Sequence, residues 1–214
     1  MAVHDRTPVP KTYSRQEVEA CVVSALQELL QDDASLLQYD VAERAIAHKL
    51  AEYLQRHFDE YHVDCEYNRN VVPGDSRLGA LSRDWRKILS MPGPRNNRNK
   101  RRNRQDQDDS AEFSVYPDII VHRRLSNDHN LLVIEVKKSS SDVPRGFDRD
   151  KLCAFTATDG RNPYCYRYGL FILLHVRADI LGQPELEWFK DGEPGVVVAD
   201  GQLPYQLPLP LDSA

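Results

Sequence analysis

Residues 115–138 read V-Y-P-D-I-I-V-H-R-R-L-S-N-D-H-N-L-L-V-I-E-V-K-K. The two runs 115–124 and 131–138 are rich in β-branched and apolar side chains, which is typical of β-strands. Asn127 and Asp128 lie between these runs, and both residue types tolerate the positive φ of a tight turn. The stretch therefore predicts an antiparallel hairpin.

The position of the turn fixes the register of this hairpin. A turn at residues 127 and 128 pairs Asp118 with Lys137 and Ile120 with Glu135. Because side chains two apart on a strand share a face, Asp118, Glu135 and Lys137 project to the same side of the sheet. Directly opposed Cβ atoms lie about 5 Å apart and diagonal ones about 7–8 Å apart. Two carboxylates at such separations can reach one hard cation between them.

This cluster of charges has two interpretations. In the first, it is the exposed face of an ordinary hairpin with cross-strand ion pairs, and a Glu-x-Lys tripeptide alone favours that view. In the second, Asp118 and Glu135 share a divalent cation, since neighbouring carboxylates are costly to bury without a counter-ion. A metal-bound water attacks phosphorus, and Lys137 can position or deprotonate that water or neutralise charge on the phosphate. The Pro117-Asp118 pair in matching register favours the second interpretation.

Two helices are predicted before the hairpin. A capping box at Ser14 begins a helix over 14–31, and a second helix runs over about 41–58 with Asp40 as a possible cap. Glu43 lies on the apolar stripe of this second helix, where a carboxylate needs a partner. The spacing Asp40-x-x-Glu43 also forms a capping box, so the pattern alone leaves the role of Glu43 open between cap and functional group.

The remaining apolar patterns complete the predicted fold. A strand is expected over 63–69, a helix over 147–158, and a strongly apolar strand over 168–176 that lies centrally and is covered on both faces. Weaker strands are expected over 185–190 and 195–199. These elements predict a single α/β domain spanning 1–214, with a small central mixed sheet flanked by helices.

Two segments are expected to be irregular. Residues 73–112 have little apolar content and contain the basic run 95–104, followed directly by acidic residues. We expect a flexible basic and acidic insertion there, more often a solvated loop than a DNA-reading element, although such an arm can track a phosphate backbone. The proline-rich tail over 202–214 is not expected to form regular structure.

Composition narrows the functional class. The formal net charge of −5 argues against a protein that coats nucleic acid through bulk charge, but not against a local basic cleft. The four cysteines form no C-x-x-C pair, and we expect buried thiols in a reducing compartment. No segment approaches the roughly 20 apolar residues of a membrane helix. The N-terminus lacks an apolar signal core, so a cytoplasmic protein with no membrane partner is expected.

The order of elements over 40–177 resembles the PD-(D/E)xK nuclease superfamily, which has a restriction-endonuclease-like core. The resemblance is carried by Pro117-Asp118 and Glu135-Val136-Lys137 on consecutive strands. It implies hydrolysis of phosphodiester bonds, in DNA above all, by a metal-activated water. The implied cofactor is Mg²⁺, for which Mn²⁺ substitutes.

The resemblance also implies a role for each site residue. Asp118 and Glu135 would bind the metal, the Val136 carbonyl would be a further ligand, and Lys137 would be the catalytic lysine. Glu43 would match the acidic residue of the first core helix, which favours a functional role over a cap.

Further residues are secondary candidates. Glu66 could join the metal site or its surroundings, but an exposed ion pair with Arg69 is slightly favoured. Asp150 and Lys151 begin the helix after the motif, where an aspartate is favourable for the helix dipole in any case. The residues that could contact phosphates are Arg69, Arg101, Arg102, His122, Arg123 and Arg124.

Two rival functions remain at this point. The first is a catalytically inactive PD-(D/E)xK fold that serves as a binding or assembly module, against which the intact set of Asp118, Glu135 and Lys137 argues. The second is a nuclease directed at RNA. No DNA-reading motif such as a zinc finger is visible, so specificity would be low or would come from a homodimer or a partner protein.

Overall fold

The computed structural model describes residues 9–69, 87–92, 110–177 and 183–198. The helices in these ranges are α1 (Arg15–Asp32), α2 (Ala34–Gln38), α3 (Glu43–His57) and α4 (Gly146–Thr156). The strands are β1 (His62–Cys65), β2 (Ile88–Pro92), β3 (Ser110–Ser114), β4 (Ile119–His122), β5 (Leu132–Lys138), β6 (Tyr168–Leu174), β7 (Glu185–Lys190) and β8 (Glu193–Val198). None of the described helices has the length and apolar character needed to cross a membrane.

Six strands form one sheet in the order β1-β4-β5-β6-β7-β8. The β5–β6 pair is parallel and the other pairs are antiparallel, so the sheet is mixed. Helix α4 connects β5 to β6, as a parallel pair requires a crossover. The predicted α/β architecture, a mixed sheet flanked by helices, is confirmed. All seven residues of β6 are buried, which confirms the predicted central strand.

The register of the β4–β5 hairpin differs from the predicted one. Ile119 pairs with Ile134, and continuing this register by one residue places Asp118 opposite Glu135. The predicted pairing of Asp118 with Lys137 is therefore wrong by two residues, because the hairpin centres one residue earlier in the chain. Because the side-chain period of a strand is two, a shift of two keeps the same residues on the same face.

The two faces of the sheet pack against different elements. Leu132, Ile134 and Val136 of β5 belong to the core formed with α1 and α3. The alternating residue Val133 belongs to a second core, which α4 and strand β2 cover from the other side. Glu135 and Lys137 share the face of Val133 and therefore lie on the α4 side, whereas Lys138 lies on the opposite face, where it pairs with Asp40.

The N-termini of the two long helices differ from each other. Ser14 and Glu17 form the predicted capping box of α1. Helix α3 begins after Ala42 with no side-chain cap, so the predicted Asp40 cap is wrong. Asp40 instead has a φ of 51° and forms ion pairs with Lys138 (2.6 Å) and Arg177 (2.7 Å).

The segment predicted to be irregular contains regular structure at its described ends. Strands β2 and β3 pair antiparallel into a separate ribbon, so the prediction is wrong for these residues. The reason is that Leu89 and Met91 are buried against α4, which gives the short strands a core to pack on. The basic run with Arg101 and Arg102 lies outside the described residues, as does the proline-rich tail.

The four cysteines are free thiols. Cys21, Cys65 and Cys153 are half-buried, whereas Cys165 is exposed. The expectation of four buried thiols is therefore wrong, most clearly for Cys165, which lies in the loop before β6.

Gly169 lies where β6 has no room for a side chain between β7 and α4. A Cβ at this position would lie 3.1 Å from both Phe189 Cβ and Thr156 Cγ2. We predict that Gly169→Ala lowers the free energy of unfolding by about 1–3 kcal/mol through overpacking. Gly146→Ala is the control, because a Cβ there meets nothing within 4 Å. Urea denaturation of both variants measures the difference, and equal effects would contradict the packing described.

Candidate metal centre

Strand β5 extends beyond its neighbour β4, which leaves part of one edge of β5 open to side chains. The Val136 N–H at this edge donates to Asp118 Oδ2 at 2.8 Å, and the Lys138 N–H donates to Glu43 Oε2 at 3.2 Å. Because the N–H and C=O of one strand residue face the same edge, the Val136 carbonyl lies on this edge as well. Two carboxylates and a carbonyl therefore line the open end of β5.

Glu135 is the most buried carboxylate of the centre, with 1% of its surface exposed. Its Oε2 lies 2.6 Å from Lys151 Nζ, and its buried Oε1 has no hydrogen-bond partner among the described residues. Burial raises the pKa of Glu135 well above its usual value, and the charge of nearby Asp118 raises it further. Burial also raises the pKa of Asp118. The two carboxylates thus form a desolvated, mutually repelling pair.

Lys137 lies between two further carboxylates. Its Nζ is 2.9 Å from Glu43 Oε1 and 3.3 Å from Asp148 Oδ2. Burial alone would lower the pKa of Lys137, but the hydrogen bond to Glu43 and the charge of Asp148 outweigh burial and raise the pKa. Lys137 is therefore held as an ammonium, which suits a hydrogen-bond donor better than a proton acceptor. The capping alternative for Glu43 is wrong, since its carboxylate bonds to β5 and makes no cap.

Helix α4 contributes a residue that the sequence interpretation missed. Asp148 lies in the first turn of α4, and its Oδ1 is 3.0 Å from Lys151 Nζ while its Oδ2 contacts Lys137. The sequence interpretation chose Asp150 instead, which is exposed. Residues three apart on a helix share a face, so the spacing of Asp148 and Lys151 was the signal that could have found the pair.

The balance of charge in this centre is negative. Four carboxylates and two ammonium groups give a formal charge of −2, from Glu43, Asp118, Glu135 and Asp148 against Lys137 and Lys151. In the described part of the chain, no group of three or more His, Cys, Asp or Glu side chains is arranged to hold a metal ion. A site here would use two carboxylates and a carbonyl. Mg²⁺ accepts such a set because it takes few protein ligands and retains waters.

Glu66 does not join this centre. Its carboxylate lies 2.5 Å from Arg44 Nε, and the residue has a φ of 48° at the end of β1. The expected ion pair with Arg69 is therefore wrong, because the turn after β1 directs Glu66 toward the first turn of α3. Arg69 is exposed.

The predicted phosphate contacts at the end of β4 have internal partners. Arg123 donates to the Glu60 carbonyl at 2.7 Å. Arg124 binds both carboxylate oxygens of Asp64, and His122 Nε2 lies 2.9 Å from the same carboxylate. These residues tie β1 to β4, and no described contact connects them to the carboxylates of the centre.

Lys87 is a second residue that sequence reasoning missed, since it lies within the segment predicted to be irregular. It is 2% exposed, and its ammonium lies 4.9 Å from the ring centroid of Tyr164, 5.6 Å from that of Tyr67 and 5.9 Å from that of Tyr166. Burial lowers the pKa of Lys87 to about 8. No sequence pattern marked this residue, because the rings of Tyr67, Tyr164 and Tyr166 are all at least 20 residues from Lys87 in the chain.

Comparison of the chain with family models, with curated proteins and with solved structures finds no match. The interpretation of the centre therefore depends on its residues and their geometry. The resemblance to the PD-(D/E)xK superfamily stays a prediction.

The Glu135–Lys151 pair provides a test of the electrostatics of the centre. We predict that Lys151→Met lowers the free energy of unfolding at neutral pH by about 3–5 kcal/mol, because it leaves Glu135 buried beside Asp118 without its cation. The double variant Lys151→Met/Glu135→Gln should recover most of that loss, because it removes the stranded charge. Urea denaturation of the single and double variants gives the coupling energy, and strictly additive effects would contradict a direct ion pair.

The pKa of Lys87 leads to a stability prediction with a defined pH dependence. Lys87→Met should raise the free energy of unfolding at pH 7 by about 1–3 kcal/mol, since burying the ammonium is costly. The folded-state pKa lies below the ordinary value of 10.5, so the unfolded chain binds more protons between about pH 8 and 10.5. The wild type therefore gains stability as the pH rises through this window. Denaturation at pH 7 and pH 10 should show the advantage of the variant shrinking, and an advantage that grows would contradict the shift.

Proposed function

We propose that this chain is a Mg²⁺-dependent nuclease with a restriction-endonuclease-like core, acting on DNA. The observation that supports this most is the pairing of a buried carboxylate, Glu135, with a half-buried one, Asp118, at an open strand edge beside a charged lysine. A structural hairpin has no need for a desolvated pair of like charges. The formal charge of −2 and the unpartnered Glu135 Oε1 add to the support.

The residues of the centre fit a divalent cation. Asp118, Glu135 and the Val136 carbonyl would hold it, since all three provide the hard oxygen ligands that Mg²⁺ prefers. When bound, the cation supplies an activated water and polarisation of the phosphate oxygens. Mn²⁺ should replace Mg²⁺, because it accepts the same carboxylate and carbonyl donors.

Lys137 would act on the phosphate itself. As an ammonium it donates hydrogen bonds to a non-bridging oxygen and stabilises the charge that develops there. Glu43 and Asp148 hold this ammonium from two sides, at 2.9 and 3.3 Å, and so fix where it points. Both carboxylates act through Lys137, so they are positioning residues.

Lys151 has a different role in this proposal. The Lys151 ammonium lies 2.6 Å from Glu135 Oε2 and neutralises that carboxylate. Asp148 Oδ1 holds the same ammonium at 3.0 Å, so Lys151 would keep a carboxylate partner if Glu135 bound a divalent cation. The lysine thereby keeps the centre folded when no cation is bound.

Cleavage of plasmid DNA in the presence of Mg²⁺ tests the proposal. Asp118→Asn, Glu135→Gln and Lys137→Met should each lower the cleavage rate at least about 100-fold, because each removes a ligand or the charge at the phosphate. Glu52→Gln on the exposed face of α3 is the matched control and should retain activity.

Calorimetric titration with Mg²⁺ and Mn²⁺ should accompany this assay. Wild type should bind either cation, and Glu135→Gln should bind at least about tenfold more weakly. Cation binding without cleavage of DNA or RNA would favour an inactive binding module, and full activity of any site variant would refute the assignment.

A further inference from the structure

Lys87 differs from every other buried charged side chain in the described part of the chain. His122 is paired with Asp64, and Glu135, Asp148 and Lys151 are joined to one another. No carboxylate among the described residues lies within ion-pair distance of the Lys87 ammonium. The surrounding tyrosine rings compensate only part of the cost of burying this charge. An anion from beyond the described residues would compensate the remainder.

A small open pocket of about 10 Å³, which is room for about one water, adjoins this lysine. The polar or charged side chains that line it are those of Tyr67, Arg69, Lys87, His122, Ser126 and Asn127. The lysine, arginine, hydroxyl and carboxamide groups in this set all supply hydrogen-bond donors. Because the enclosed space holds no more than about one water, an oxyanion would lie at the open mouth of the pocket, within reach of these donors.

The charge around this pocket is positive. Among the described residues, Asp64 is the acid whose charge acts on Lys87, but both oxygens of its carboxylate are already bound by Arg124 and His122. Burial lowers the pKa of His122, so the ring is neutral near pH 7. The formal charges of Lys87, Arg69 and Arg124 against Asp64 sum to +2.

The pocket and the candidate metal centre lie on one face of β4. Asp118 and His122 are four residues apart, so their side chains share a face and their Cα atoms are about 13 Å apart. Ile120 between them is buried, so a nucleic-acid strand that reaches both sites would pass over the elements that cover β4. It would meet the centre of charge −2 at one end and the pocket of charge +2 at the other. A divalent cation would join the nucleic acid to the negative centre, whereas a phosphate of the nucleic acid would itself neutralise the positive pocket.

We propose that the pocket beside Lys87 binds a backbone phosphate of the nucleic-acid substrate, a few nucleotides from the bond placed at Asp118 and Glu135. The assignment of the phosphate to a nucleic acid rests on the proposed function, whereas the existence of an anion site beside Lys87 does not. Arg69 and Asn127 complete the set of donors at the mouth of the pocket. The phosphate has no metal partner there, so binding requires no divalent cation.

Fluorescence anisotropy with a labelled single-stranded oligonucleotide, in EDTA so that no cleavage occurs, tests the proposal. Lys87→Met should bind about tenfold more weakly at low salt, as expected for loss of one charged hydrogen bond. The slope of log K against log salt should fall by about 0.7, the value for one phosphate contact on a single strand. Lys190→Met, an exposed lysine on β7, is the control and should change neither quantity.

The source of the phosphate is tested with two further probes. An oligonucleotide with neutral methylphosphonate linkages should bind wild type and Lys87→Met equally. Inorganic phosphate should shift the ¹³Cε resonance of Lys87 in the wild type, which gives a readout that needs no variant. If inorganic phosphate shifts the Lys87 resonance but Lys87→Met leaves the salt slope of oligonucleotide binding unchanged, the assignment to a nucleic-acid phosphate is overturned.

Two further outcomes separate the anion site from the nuclease proposal. Unchanged affinity and slope in Lys87→Met, with a Lys87 resonance that phosphate leaves in place, would overturn the anion site altogether. Because all these measurements are made without metal, they are independent of the cleavage assay. If Lys87→Met weakens oligonucleotide binding as expected but the wild type cleaves no nucleic acid, only the nuclease proposal is contradicted.

Discussion

The buried ion pair between Glu135 and Lys151 is the interaction on which the polar side of the sheet depends. Glu135 is desolvated and repelled by Asp118, so it needs a cation from a neighbouring element. Helix α4 supplies that cation, and Asp148 on the same helix also reaches Lys137. The β5–α4–β6 crossover is thus held by charges as well as by its apolar core.

This arrangement places the carboxylate centre and Lys87 on one side of the sheet. The opposite face packs as an apolar layer against α1 and α3. On the α4 side, the carboxylate centre and the Lys87 pocket carry opposite charge at the two ends of β4. Both groups are costly to bury, and the described residues offset these costs only in part, through Lys151 at the centre and the tyrosine rings at Lys87. Such local costs are typical of binding and catalytic sites.

The hairpin shows why part of the candidate site could be predicted. Alternation along a strand is a local property, so Asp118, Glu135 and Lys137 were assigned to one face even though the predicted register was wrong by two residues. The role of Glu43 was not decidable in this way. Its contact with Lys137 joins residues 94 apart in sequence, and Asp40, the alternative cap, is engaged with Lys138 and Arg177.

The sequence by itself determined the α/β class, the central strand β6 and the face that carries the acidic pair, because periodicity and apolar content act through neighbouring residues. Only the tertiary structure decided that Asp148 rather than Asp150 belongs to the centre and that Lys87 is buried among tyrosines. Both depend on how α4 and the β2–β3 ribbon pack on the sheet. That packing follows from the shape of the whole core, to which residues far apart in the chain contribute.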